Sequence, residues 1–240
     1  MNLKMKMRLA NKGSGEFRAD GSTIWMYDFI AADDEEAKWA GGISPRQFMA
    51  ALAATTGPVT IRINSPGGSV FGGLAMVAAM RAHGEPITAQ IDSLAASIAS
   101  VIASEAATTV MVPGAMLMIH KAWGMEIGNE DDMLATASIL SKIDGQIAET
   151  YARRAEGSVD DYLALMSAET WFTAQEAVDA KLADSILTEN NQRPKAQWDL
   201  SAYAKAPVIE PQEEIEAHPA PDLRPMRARQ LAARLVANAI

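Results

Sequence analysis

No cysteine occurs anywhere in the 240 residues. Its absence excludes disulfides, thiolate nucleophiles and Cys-ligated zinc, and agrees with a reducing compartment. Histidine is nearly as scarce: only three are present, so chemistry that needs an imidazole has three candidates. Basic side chains are outnumbered, 21 Lys and Arg against 30 Asp and Glu. The resulting net charge of −9 argues against general nucleic-acid binding, which requires clustered cations to neutralise phosphates. Long apolar runs are missing as well. The longest, Leu94 to Ala103, is interrupted by serines and falls short of the roughly twenty residues that span a bilayer. Met1 to Ala10 carries Lys4, Lys6 and Arg8 but no continuous apolar stretch of signal-peptide length. A P-loop pattern is absent too, so any use of ATP would come from a partner. The expectation is a soluble, cytoplasmic protein with no membrane or nucleic-acid partner, no cofactor and no metal, whose polymer partner is polypeptide.

What is there suffices for one substantial core: 49% of the residues are hydrophobic. Residues 1–21 form a polar N-terminal segment, 22–189 read as the folded domain, and 190–240 as a linker with a short terminal helix. The linker holds six of the eleven prolines together with Glu210, Glu213, Glu214, Glu216 and Asp222, and helix-compatible sequence resumes at Met226. Within the domain, Ser22 to Ile30 is strand-like. Ser44-Pro45 opens a helix to about Ala54, and Val59 to Ile63 reads as a strand before a helix from Val70 to His83. Further strand signals fall at Ile87–Ile91, Thr108–Val112, Ala115–Ile119 and Leu182–Leu187. This is a βαβ rhythm. A long helix from about Asp131 to Ala155 carries an apolar stripe, Leu140, Ile143, Ile147 and Tyr151, that needs a partner. Capping patterns at Ser158/Asp161 and Thr173/Glu176 open two short helices.

Two segments look like halves of an acyl-transfer site. Ile63-Asn64-Ser65-Pro66-Gly67-Gly68 joins a strand to a helix through a glycine turn, where backbone N–H groups can stabilise an oxyanion; it also reads as a tight turn with no ligand. Leu94 to Ser100 follows a strand and sets Ser97 among alanines, as a nucleophile or as a small residue that lets helices pack closely. A serine hydroxyl needs a base. His83 stands at a helix end and His218 in the Pro-rich tail, which leaves His120, at the end of an apolar strand, as base candidate or as a strand-end histidine bonded to backbone.

In order and spacing together, these segments closely resemble the ClpP family of serine peptidases, the proteolytic subunit of the Clp protease. The resemblance rests on Ile63 to Gly68, Ala95 to Ala99, Met118-Ile119-His120, and Glu169 before Thr173-Ala174-Gln175-Glu176-Ala177, and covers about residues 22 to 189. It implies Ser97 as nucleophile, His120 as general base, and the backbone N–H groups of Gly68 and Ile98 as oxyanion hole. Glu169 falls where the family has Asp, and is weighted above Asp161 and Asp179 as the third member. Ser93 is another departure, from Gly. The implied fold is α/β, ClpP/crotonase-like stacked βαβ units, with the helix from Asp131 as a handle that interlocks subunits into rings. The acidic Pro-rich tail, the Glu169-Thr170-Trp171 segment and Gly128 to Asp132 resemble the head maturation proteases of phages and prophages. That implies a scaffold or capsid precursor as substrate, cleaved in a prohead or in host cytoplasm. The rivals are a proteolytic subunit fed by a partner ATPase unfoldase, a crotonase-like acyl-CoA enzyme, and an assembly protein with a vestigial site.

Overall fold

The computed structural model describes residues 11, 15–187 and 198–207. These belong to the unit Met1–Ala206, apart from Pro207, which opens a second unit, Pro207–Ile240. The expected helix from Met226 and His218 lie outside the described residues.

A mostly parallel sheet organises the chain. Strand β1 (Glu16–Asp20) pairs antiparallel with β2 (Thr23–Tyr27). From β2 the ladder runs in parallel through β3 (Val59–Ser65) and β4 (Ile87–Ala96) to β5 (Thr108–Met111) and β8 (Ser185–Ile186). Parallel neighbours require crossovers, and helices supply them: α1 (Asp34–Ala40) and α2 (Pro45–Ala53) lead to β3, α3 (Val70–Ala82) to β4, and α4 (Ile98–Ser104) to β5. Ser44 caps α2 reciprocally with Gln47, and Pro45 stands where its missing N–H costs nothing. Helices on a parallel sheet bury its strands, and Ile61, Ile63, Ala89 and Ile91 have no exposed surface.

Strand β4 serves two neighbours. Its first half, Thr88 to Ile91, pairs with β5, and its second, Leu94 to Ala96, pairs in parallel with β6 (Met116–Ile119). Strand β6 in turn pairs antiparallel with β7 (Thr170–Thr173). Alternation then divides the side chains between two cores. Ala95, Leu117 and Ile119 join the main core, whereas Leu94, Ala96 and Met118 join a second cluster with Phe29, Trp198, Leu200 and Tyr203. Trp198, Leu200 and Tyr203 come from the stretch that composition assigned to a linker, and each is buried. Strand β1 likewise comes from the polar N-terminal stretch.

Helix α5 (Glu130–Ala155) packs on α4 and on α6 (Val159–Ser167), followed after β7 by α7 (Ala174–Asp179). Three of the four residues of the stripe that needed a partner find it within the chain, and Leu140 stays partly exposed. Ile143, Ile147 and Tyr151 are buried, Tyr151 lies 5.9 Å from the ring of Tyr162, and its hydroxyl is 2.8 Å from Ser100 Oγ. The apolar surface left exposed on α5 is nearer its start, at Met133, Leu134 and Ile139. Among the described residues, no helix is long and apolar enough to cross a membrane.

Candidate active site

Strand register brings three of the sequence-predicted residues together. Ala96 pairs with Met118 across β4 and β6, so Ser97, one residue beyond β4, arrives beside the end of β6; its N–H donates to Met118 O at 2.9 Å. His120 follows Ile119, the last residue of β6. Ile119 pairs with Thr170, the first residue of β7, so Glu169 lies beside His120. In the result His120 Nε2 is 2.8 Å from Ser97 Oγ, and Glu169 interacts electrostatically with His120.

The serine occupies a strained strand-to-helix turn. Ser97 has φ 57° and ψ −130°, a conformation costly for a residue with a Cβ, and it immediately precedes α4. Ile98, the first residue of that helix, has a backbone N–H with no carbonyl partner one turn back. The glycine turn closes over the serine. A Cβ on Gly67 would stand 2.7 Å from Ser97 Cβ and 2.7 Å from Ala96 O, and one on Gly68, at φ +151°, would stand 2.1 Å from Ile30 O. Only glycine lets these backbones approach so closely. The turn is also laced in place. Ser65 Oγ donates to Asp28 O at 2.7 Å, Ile30 N–H donates to Gly67 O at 2.9 Å, and Ser69 N–H donates to Ile30 O at 2.8 Å. Beyond His120, the buried carboxylate of Asp144 accepts from Ala122 N–H at 2.7 Å, fixing where the chain leaves β6.

Glu169 is held by the segment that follows residue 197. Its carboxylate accepts from the backbone N–H groups of Ala204 (2.9 Å) and Lys205 (2.6 Å) and from the Trp171 indole (3.3 Å). Burial pushes its pKa upward, but those donors and the charge of His120 outweigh it, so Glu169 titrates below the ordinary carboxylate range. The other acids considered lie elsewhere on exposed surface: Asp161 accepts from Ser158 Oγ, and Asp179 from Gln175. His83 caps the end of α3, and Ser93 is partly buried within β4. Tyr203 was not foreseen. Its ring meets His120 edge-on at 5.3 Å, and its hydroxyl donates to Pro66 O at 2.5 Å.

A cleft of about 460 Å³ opens at Ser97. Gly68 lies on its wall, and Val70, Phe71, Trp123, Ile139 and Leu140 make the remainder largely apolar. Phe71 and Trp123 are exposed here, 69% and 45%, as a surface awaiting a ligand would be. Among the described residues, no group of three His, Asp or Glu side chains is placed to hold a metal ion.

A hydroxyl in contact with an imidazole, beneath a glycine turn and at the mouth of an apolar cleft on an α/β sheet, defines the class as serine-type peptidase. Comparison with known proteins narrows this. The Clp protease family model matches residues 34–190, and the chain belongs to that family. Three similar proteins bear the name ATP-dependent Clp protease proteolytic subunit. That of Leuconostoc citreum is 30% identical over 143 residues, 58% of this chain and 72% of its own. That of Bacteroides fragilis is 31% identical over 131 residues, 54% of this chain and 63% of its own. That of Pleurastrum terricola is 30% identical over 131 residues, covering 54% and 67%.

Proposed function

We propose that the chain is a serine endopeptidase that cleaves polypeptide through an acyl-enzyme on Ser97. The observation that carries this reading is the 2.8 Å approach of Ser97 Oγ to His120 Nε2. With the imidazole neutral and its proton on Nδ1, Nε2 accepts the serine proton as Oγ attacks the substrate carbonyl carbon. The N–H groups of Gly68 and Ile98 receive the developing oxyanion, a donor pair in which each member is worth roughly 3 to 4 kcal/mol of barrier. The imidazolium returns its proton to the leaving amine, and water then repeats the sequence on the ester. Glu169, held ionised by the Ala204 and Lys205 amides, stabilises the imidazolium. The apolar cleft favours a large hydrophobic side chain next to the scissile bond.

The particular role we infer is head maturation in a phage or prophage, by a ring-forming homo-oligomer acting on a scaffold or capsid precursor. Support comes from the acidic Pro-rich tail and from the Gly128 to Asp132 and Glu169 to Trp171 segments. A second reading has its own support: the similar proteins are named ATP-dependent, which favours a partner ATPase. Cleavage of a folded precursor without nucleotide or unfoldase would decide for the first. A crotonase-like acyl-CoA enzyme needs no serine–histidine contact and would survive Ser97→Ala.

The test is intact-mass analysis after fluorophosphonate treatment of wild type, Ser97→Ala and His120→Ala. One adduct on wild type, lost in both variants, is expected. No adduct on assembled wild type would remove the proposed nucleophile.

A further inference from the structure

Residues 198–206 reach the site from beyond the matched family stretch, which ends at residue 190. We propose that this segment buttresses the catalytic site, with Tyr203 as a positioning residue that holds His120 and the Pro66 turn in their working places. The proposal rests on the reading of Ser97 and His120 given above.

The segment touches the glycine turn, the histidine and the acid. Trp198 Nε1 donates to Asn64 Oδ1 at 2.8 Å, just before the glycine turn. Tyr203 Oη donates to Pro66 O inside that turn, and its ring stands edge-on between His120 and Trp171, 5.3 and 6.0 Å away. Ala204 and Lys205 hold the Glu169 carboxylate, and Lys205 Nζ donates to Ala168 O at 2.5 Å. From the other end, Asn11 Nδ2 donates to Asp199 O at 2.9 Å and its Oδ1 accepts from Asp199 N–H at 2.7 Å.

Two observations separate a buttress from a plug. First, the cleft still opens at Ser97 with the segment in place, and Tyr203 forms part of its wall. Second, Trp198, Leu200 and Tyr203 cover Leu94, Ala96 and Met118, the face of β4 and β6 that the main core does not reach. Displacing the segment would bare that face. The phenol's own proton goes to Pro66 O, and a neutral phenol oxygen is a far weaker base than imidazole, so the base in this site is His120. Burial raises the phenol's pKa and keeps it neutral.

The experiment compares full-length wild type, Tyr203→Phe and Tyr203→Ala in three measurements. These are the rate of fluorophosphonate acylation, kcat and KM on a fluorogenic peptide with an apolar residue before the scissile bond, and the urea midpoint. Phe keeps the ring against His120 and loses the hydroxyl that bonds Pro66, so acylation falls about threefold to tenfold; Ala loses ring and hydroxyl and falls about 100-fold, a loss typical of misplaced catalytic groups. In both, kcat falls while KM stays within about threefold, because an interaction that orients the reacting groups is lost and not one that binds substrate. Partial rescue by Phe at a kcat deficit larger than the stability change explains is the expected signature. Faster acylation in either variant would mean that the segment is a plug. Unchanged rates in Phe, or losses that only track the urea midpoint, would also overturn the proposal. Failure to label wild type would instead overturn the assignment of Ser97.

Discussion

Replacing Gly67 with alanine tests how closely the glycine turn and the serine depend on each other. The position has φ +89°, where an L side chain costs about 1–2 kcal/mol. The new Cβ also meets Ala96 O and Ser97 Cβ at 2.7 Å and Ser97 Oγ at 3.3 Å, and neither backbone can yield cheaply. Overpacking of that kind adds about 1–3 kcal/mol. Gly57 provides the control: φ is +73° there, and nothing lies within 4 Å of a Cβ. Gly57→Ala should therefore lose only the conformational part, about 1–2 kcal/mol by urea denaturation, with an unchanged rate of acylation. Gly67→Ala should lose about 2–5 kcal/mol in all. Because the clash falls on the nucleophile, a displacement of several tenths of an ångström should slow acylation about 10- to 100-fold. The assay is fluorophosphonate labelling followed by intact mass, under conditions where both variants are folded. If Gly67→Ala reacts within twofold of Gly57→Ala, the serine is not registered by the turn, and the two-part construction of the site is wrong.

Other outcomes follow from the same structure. Arg62→Ala removes the cation that reaches the buried Asp92 carboxylate from Nε at 2.7 Å and from Nη2 at 2.8 Å and leaves it hydrogen bonds from Tyr27 and Gln90; a loss of about 3 kcal/mol in urea unfolding is expected, and a loss below about 1 would contradict a buried pair. Tyr151→Phe removes the hydroxyl beside Ser100 but leaves Ser100 Oγ donating toward the Ser97 and Met118 carbonyls; stability should drop about 1–2 kcal/mol with acylation within threefold, and a larger kinetic effect would place Tyr151 in the machinery. Glu169 has a folded pKa below its unfolded one, so its stabilisation is fully present above the ordinary carboxylate value of about 4.3 and fades as pH falls through the lower, folded value. The gap between the urea midpoints of wild type and Glu169→Gln should therefore shrink as pH falls below about 4.3; a gap that goes on widening there would reverse the sign assigned here.

The strands and helices legible in the sequence were those with a pattern to read. Val59 to Ile63 alternates cleanly, and Ser44-Pro45 and Ser158 announce their helices. Strand β1 was not legible because Glu16 to Asp20 is short and largely exposed, with only Phe17 packed on the core; its pairing with β2 completes it. Helix α1, Asp34 to Ala40, opens on three acids and buries only its last residue, so no apolar stripe announces it. The second half of β4 is built from small residues whose strand character comes from the β6 ladder, not from propensity. Ser97, His120 and Glu169 were legible as motifs, whereas the reason they meet, one residue beyond three paired strand ends, lies in registers that span the chain. The segment around Tyr203 was hidden by the prolines and acids that surround it. A signal did exist: Leu94, Ala96 and Met118 alternate with core residues and required a cover, and Trp198, Leu200 and Tyr203 were the aromatic and aliphatic residues available to provide it.

That cover has a consequence for how the protein is made. Translation delivers Ser97 and His120 early, together with the turn that closes over them, but the ring that stands against His120 and the amides that hold Glu169 belong to residues 203 to 205. A chain still emerging from the ribosome cannot make these contacts until residue 205 has been synthesised. A cutting enzyme that must first be produced among other unfolded nascent polypeptides thus has its own order of synthesis as a delay.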